Sequence, residues 1–275
     1  MRLPTRFGRS ETAGSEAPAG LGTALAAAAA GGAVVKDEEE TLLLRAPFAG
    51  APAWWKLYRV PPRRRLLASL VRSRALREWR ALRAVAAKGV PVVAPLAFGE
   101  SRRLGFLEAS LLVTSAAENA RDLRALLADP QLTADARAAW LARAGAAARS
   151  LHDAGFGHFR MQLRNLLAET PAGAPPRVRF LDLPYACAWP AAAPRAVCRV
   201  DLVDLAGAGS ELADEDARDV LRGYAADGDL PIDPGPLRAR APWRQKLARI
   251  GLYLLAVNTG HRPTAVAVPQ GAGPT

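Results

Sequence analysis

The chain reads as an α+β protein in two parts: a small, mostly β part with one helix, then a mainly helical part. Three observations predict this. β-rich runs bounded by Gly, Pro or acidic turn residues recur between 33 and 60 and again between 92 and 114. One basic helical pattern, roughly 64–88, stands between them. From residue 121 onward the apolar spacing becomes helical, over 133–153, 214–226 and 243–257. Hydrophobic residues make up 50 % of the 275, enough to bury a large core and too many for a disordered chain.

Taken in order, residues 1–32 read as a tail, because Pro, Gly, Ser and an Ala tract show no sustained period and nothing gives the Ala tract an apolar face. Ala33-Val34-Val35, Thr41 to Arg45 and Ala53 to Tyr58 are strands, with a hairpin at Pro47 to Pro52. Trp54, Lys56 and Tyr58 share one face of their strand, and Trp55 and Leu57 share the other. Pro61-Pro62 starts the basic helix, in which Leu66, Leu67, Leu70, Ala75, Trp79, Leu82 and Val85 recur at helical spacing. Glu78 stands there among arginines, where it is either a local i,i+4 partner or something more. Gly89-Val90-Pro91 ends the helix, and 92–99, 104–107 and 109–114 are strands. Asp122 to Leu127 is a short helix; Thr133 and Asp135 open a long one that Gly155 ends. Strands follow at 165–168 and 178–181, helices begin at Asp201 and Asp214, and Trp243 to Val257 is the last. Residues beyond Gly260 read as loose.

With 37 basic and 26 acidic residues the net charge is +11 (37 − 26), a balance suited to polyanionic partners or else a product of Arg-rich composition. Cys187 and Cys198 make neither a disulfide framework nor a zinc pattern, and three histidines are too few for a metal cage. No G-x-S-x-G elbow is present, so a Ser-His-Asp hydrolase is excluded. No apolar run nears the ~18–20 residues of a membrane span, and Leu21 to Val35 makes a poor signal peptide. A soluble, cytoplasmic protein is the expectation.

The chemistry concentrates in Gly157-His158-Phe159-Arg160-Met161-Gln162-Leu163-Arg164-Asn165-Leu166-Leu167 and in Phe180-Leu181-Asp182-Leu183-Pro184. Ahead of them come a strand lysine, Lys56, and a helix glutamate, Glu78, 22 residues on (78 − 56). This order resembles that of a two-lobed protein-kinase-like fold. Trp55-Lys56-Leu57-Tyr58, Arg74 to Leu82, Gly89-Val90-Pro91 through Glu100, Leu151 to His158, Arg164 to Leu167 and Asp201-Leu202 narrow it. Together they are similar to the bacterial lipopolysaccharide kinase family of Kdo and heptose kinases, over about residues 40–225.

The resemblance implies a tail at 1–32, an N-lobe at 33–115, a C-lobe at 116–260 and a loose end at 261–275. It implies that Lys56 holds ATP phosphates, that Glu78 fixes Lys56, and that Thr114 to Ala117, with Thr114 and Ala116 foremost, touch adenine through backbone groups. Asn165 and Asp182 would bind Mg²⁺, and Asp201 would accept hydrogen bonds from the 158–160 turn. His158, Arg160 and Gln162 would line the catalytic loop, and all four of Lys56, Glu78, Asn165 and Asp182 would meet in one cleft. Read alone, Asp182 is equally a turn cap before Pro184, and His158 a core histidine with a satisfied hydrogen bond.

Two departures stand out. No G-x-G-x-x-G precedes Lys56, leaving the 46–52 hairpin or Gly31-Gly32 as the phosphate flap. Arg160 occupies the position of the catalytic aspartate and cannot accept a proton. It could bind the γ-phosphate or pair with Asp182, Gln162 could orient an acceptor hydroxyl, and Glu169 lies beyond the next strand. The expected activity is phosphotransfer from ATP to a sugar hydroxyl of a lipid-linked or phosphorylated glycan, with a nucleotide-binding pseudokinase as the rival. Arg63, Arg64, Arg65, Arg72 and Arg74, or Trp243, Lys246, Arg249 and Leu252 to Val257, could meet an anionic membrane or simply be solvated. Nucleic-acid binding is disfavoured by the scarcity of interleaved aromatics.

Overall fold

The computed structural model describes residues 3, 4, 6–12, 20–117, 119–207, 210, 212–225 and 242–263. The chain divides into two units, Met1–Arg83 with Val93–Glu118, and Ala84–Val92 with Asn119–Thr275.

The first unit is built on an antiparallel sheet whose six described strands are β1 (Arg9–Thr12), β2 (Ala33–Asp37), β3 (Thr41–Phe48), β4 (Ala51–Arg59), β5 (Pro95–Arg103) and β6 (Phe106–Ser115). Their spatial order is β1-β5-β6-β4-β3-β2. The alternation in β4 fixes its register: Ala53, Trp55 and Leu57 are buried in the core with Leu42, Leu44, Leu111 and Val113. The opposite face then carries Lys56 and Tyr58 toward helix α3 (Arg74–Ala86).

Residues 1–32 contain structure that their composition concealed. β1 pairs with β5, and helix α1 (Leu21–Gly31) packs on the sheet through Leu21, Leu25 and Ala28. Its apolar stripe is narrow, two leucines and an alanine at i, i+4 and i+7, so an Ala-rich background hides it. Gly99 makes room for it, since a Cβ there would lie 2.9 Å from Phe7 and 3.1 Å from Leu21.

The single helix expected over 64–88 is also corrected. After a 3-10 turn at Pro62–Arg64 comes α2 (Arg65–Leu70), which stops at an extended Val71 (ψ 162°). Ser73 restarts the chain, its Oγ accepting from the Leu76 amide at 3.2 Å as a helix cap does. Leu66, Leu67 and Leu70, which recur at helical spacing with Ala75, Trp79, Leu82 and Val85, are exposed, whereas those four are buried.

In the second unit β7 (Ala120–Asp122) leads into α4 (Leu123–Leu127), and α5 (Ala134–Asp153) starts at the Thr133 cap. β8 (Phe156–Gly157) and a 3-10 turn (Leu163–Asn165) enclose the loop of interest, before β9 (Leu166–Glu169) and β10 (Arg177–Phe180). β11 (Cys187–Ala188), α6 (Arg195–Ala206), α7 (Asp214–Ala225) and α8 (Pro242–Asn258) complete the described part. The described sheets are β10-β9-β7 and β11-β8. α5 and α7 cross with glycine at the contact: a Cβ on Gly145 or on Gly223 would sit 1.9 Å from a carbonyl of the other helix.

Helix α6 begins six residues before the expected Asp201 (201 − 195), which therefore lies mid-helix. Residues 261–263, expected to be loose, are held: Ala188 N–H donates to the His261 carbonyl at 2.6 Å, and the His261 ring stacks on Trp189 at 5.0 Å. Residues 264–275 lie outside the described part. Both cysteines are free and buried, and burial pushes the Cys187 thiol up to about 12. Among the described residues no helix is long and apolar enough to cross a membrane.

Candidate functional site

In the first unit, β4 and α3 bring Lys56 and Glu78 together. Lys56 Nζ donates to Glu78 Oε1 at 2.9 Å, and Tyr58 donates to Oε2 at 2.9 Å. Glu78 is fully buried, so both carboxylate oxygens need such partners. The sequence places Tyr58 two residues from Lys56 on the same face, which was the available signal for a third member. The Arg74 guanidinium lies 4.6 Å over the Tyr58 ring. Glu78 is thus tied to the sheet through Lys56 and Tyr58.

In the second unit the loop after β8 is held from below by Asp201. One carboxylate oxygen accepts from the His158 amide at 2.7 Å and the other from the Phe159 amide at 2.7 Å. Phe159 sits at φ 61°, a backbone region that costs a non-glycine residue energy. The two hydrogen bonds hold it there, with Phe159 packed on Trp189 and Tyr253. His152 Nε2 lies 3.2 Å from Asp201, and its Nδ1 lies 2.9 Å from the Tyr224 hydroxyl. Burial lowers the His152 pKa most, but Asp201 and Cys198 outweigh it and bring it to about 9. His152 and Tyr224 are parts of this support that the sequence alone did not single out.

His158 is deeply buried against Phe180, and neither ring nitrogen has a hydrogen-bond partner. Burial lowers its pKa and keeps it neutral. It is a packing residue rather than a proton carrier, and the satisfied hydrogen bond expected of a core histidine is absent. Arg160 pairs with no carboxylate among the described residues; its guanidinium lies 5.7 Å over the Tyr185 ring. The expected alternative of an Arg160–Asp182 ion pair is not formed. Gln162 Oε1 is buried without a partner. Glu169, the next carboxylate along, is held by Arg177 and, at 2.8 Å, by Arg179 across β9 and β10, so no spare base stands there.

Asn165 and Asp182 come together through the backbone, since the Leu181 amide donates to the Asn165 carbonyl at 3.0 Å. Asn165 Nδ2 donates to the Arg160 carbonyl at 2.8 Å, which turns the amide oxygen away from the loop. That oxygen and the Asp182 carboxylate are hard donors in a half-buried place. A pair of this kind fits Mg²⁺, which takes few protein ligands and completes its shell with phosphate and water. No cluster of three or more His, Cys, Asp or Glu suited to a metal occurs among the described residues.

Two expectations change at the edge of the first unit. Thr114 is buried in β6 between β4 and β5, while the Ser115 amide donates to Ala94 and the Ala116 amide to Pro52, at 2.8 and 2.9 Å. Those two amides are already used, so adenine would have to be met by other groups of the stretch. The 46–52 hairpin turns on Ala49 and Gly50, with φ 50° and 82°, a two-residue turn that glycine permits. Phe48 packs edge-on to Trp55 at 5.5 Å, so the turn is anchored in the core instead of being a glycine-rich flap.

These features meet the comparisons with known proteins. No curated protein matches the sequence. Among solved structures the chain is similar to "WaaP in complex with acyl carrier protein", at 20 % identity and a TM-score of 0.53, covering 86 % of this chain and 92 % of that one. That likeness shows the kinase-like fold. The model of the lipopolysaccharide kinase (Kdo/WaaP) family matches residues 54–224, from the strand of Lys56 to the end of α7. With well over half of its length matched, the chain belongs to the lipopolysaccharide kinase (Kdo/WaaP) family.

Proposed function

We propose that the chain is an ATP- and Mg²⁺-dependent phosphotransferase that moves the γ-phosphate to a sugar hydroxyl of a lipid-linked glycan. The observation that carries the reading is the buried Lys56–Glu78 pair, a fixed cation of the kind such enzymes set against nucleotide phosphates. Lys56 would hold those phosphates, and Asn165 with Asp182 would hold Mg²⁺, which neutralises charge on the phosphates when bound. Asp201 keeps the 158–160 turn in its strained shape, so the acceptor side of the loop is preformed. With Arg160 in place of a base, the acceptor proton would leave to the transferred phosphoryl group or to water. Phosphoryl transfer tolerates this, because positioning and electrostatics carry most of its rate.

A second reading, a nucleotide-binding pseudokinase, is favoured by one observation: Arg160 sits over Tyr185, and Glu169, the next carboxylate along, is held by Arg177 and Arg179. Titration calorimetry with ATP, with and without Mg²⁺, tests the shared ground. Binding should require the metal, weaken strongly in Lys56→Met and lose its metal dependence in Asp182→Asn; a chain that binds no nucleotide sinks both readings. Turnover separates them. Arg160→Asp should raise a measurable native rate by about 10²–10⁴ if the loop is otherwise competent. A native chain with no turnover, left silent by that substitution, is a pseudokinase.

A further inference from the structure

Helix α2 is turned inside out. A surface helix normally lays its apolar stripe on the layer beneath it. Here the polar edge faces the sheet: Arg65 Nη1 reaches Glu108 at 2.8 Å, and the Leu107 amide donates to Ser69 Oγ at 2.7 Å. Leu66, Leu67 and Leu70 face solvent at 61 %, 69 % and 76 % exposure, followed by Val71 at 55 %. The β5–β6 turn, next to Leu107, adds Leu104 at 90 % and Phe106 at 41 %. Single exposed leucines need no explanation, but three exposed leucines on one short helix, with Leu104 and Phe106 exposed on the neighbouring turn, mark a contact surface.

The rim says what kind of contact. Arg63, Arg64, Arg72 and Arg103 are all exposed beside the ridge. Arg63, Arg72 and Arg103 have no carboxylate partner among the described residues. A cavity of about 220 Å³ opens at the end of α2, lined by Glu40, Tyr58, Arg59, Arg64, Arg72 and Arg74 among others, with Arg64 paired to Glu40 and Arg59 to Asp37. Arg59 Nη2 is buried there without a hydrogen-bond partner.

We propose that α2, the β5–β6 turn and the exposed arginines beside them form the docking surface for an anionic bilayer. The leucines enter the acyl boundary and lipid phosphates meet Arg63, Arg72 and Arg103. Apolar side chains ringed by arginine suit a surface whose charge is negative and whose interior is hydrocarbon. A second copy of the chain is a poorer occupant, because a self-complementary contact would set these arginines against one another. Leu66, Leu67, Leu70, Arg63, Arg72 and Arg103 lie outside the Lys56–Glu78–Tyr58 group, although Tyr58 and Arg74 also line the cavity, and the proposal stands whether or not the chain turns over.

Vesicle flotation of the full chain tests it, using phosphatidylcholine with and without phosphatidylglycerol. Binding should require phosphatidylglycerol and weaken with salt. The variant Leu66→Ser/Leu67→Ser/Leu70→Ser should lose at least about tenfold in partition. Arg63→Gln/Arg72→Gln/Arg103→Gln should lose about fivefold per charge. Both variants should melt like the native chain and bind nucleotide as it does, since none of these side chains is buried. Absence of vesicle binding, binding that ignores lipid charge, or full binding by both variants overturns the proposal. So does self-association in sedimentation that the leucine variant abolishes while vesicle binding is nil.

Discussion

The Lys56–Glu78–Tyr58 group shows why equal distances are not equal energies. The Arg64–Glu40 pair is as short, at 2.7 Å, but both side chains are about half exposed. Such pairs are worth about 0–1 kcal/mol. Glu78 is fully buried, so removing Lys56 takes a charged partner from a carboxylate that water cannot reach. Lys56→Met should therefore cost about 3–5 kcal/mol of folding stability, as well as nucleotide affinity. Lys56→Met/Glu78→Gln should recover much of that stability, since no charge is left buried, without recovering affinity. Denaturant unfolding of the two variants beside Arg64→Gln measures the contrast. If Lys56→Met is as silent as Arg64→Gln, Lys56 is not what balances the buried carboxylate. The same scale explains what was legible here. The 22-residue spacing and a lysine in an apolar strand pointed to Glu78 as a partner. The engaged amides of Ser115 and Ala116 were not legible, because their acceptors, Ala94 and Pro52, are set by strand pairing and leave no trace in local sequence.

At the scale of elements, long periodic helices and alternating strands were readable, and short elements were not. α5 has a cap, a stop and a stripe of Leu141, Ala144, Ala148 and Leu151, each visible in the sequence. α1 has two leucines in a run of alanine, and its packing depends on the gap at Gly99, far away in the chain. The break between α2 and α3 depends on one extended residue and one serine cap. Glycine inside helices was likewise ambiguous, because a helix-weakening residue and a helix-crossing residue look alike in sequence. Geometry separates them. At Gly145 a methyl group would meet the Val220 carbonyl at 1.9 Å, whereas at Gly251 in α8 it would meet nothing within 4 Å. Gly145→Ala should cost at least about 3 kcal/mol through forced separation of α5 and α7. Gly251→Ala should stabilise by about 0.5–1 kcal/mol through helix propensity alone. Thermal unfolding of the two variants gives shifts of opposite sign, and shifts of the same sign would refute the tight crossing.

At the scale of the whole molecule, stability should depend on pH through two buried histidines of opposite sense. His152 lies between Asp201 and Tyr224, and its pKa is raised from 6.5 to about 9. The folded chain then holds that proton more tightly than the unfolded chain. This contribution is complete below pH 6.5 and is lost as pH rises toward about 9. His158 is the reverse: burial lowers its pKa, so the unfolded chain takes up the proton first as pH falls below 6.5. On that side the net charge of +11 at neutrality grows further and adds self-repulsion. The two limbs meet near pH 6.5, and unfolding free energy should peak there and fall on both sides. The alkaline limb belongs chiefly to Asp201, whose carboxylate faces His152 Nε2 and raises its pKa ahead of Cys198. In Asp201→Asn the whole curve drops, as the 158–159 amides lose a charged acceptor, and its decline between pH 6.5 and 9 flattens. Denaturant titrations of both chains across this range decide the matter. An alkaline limb of unchanged slope in Asp201→Asn would mean that His152 is not held protonated, and that the support beneath the loop is a neutral hydrogen-bond network instead.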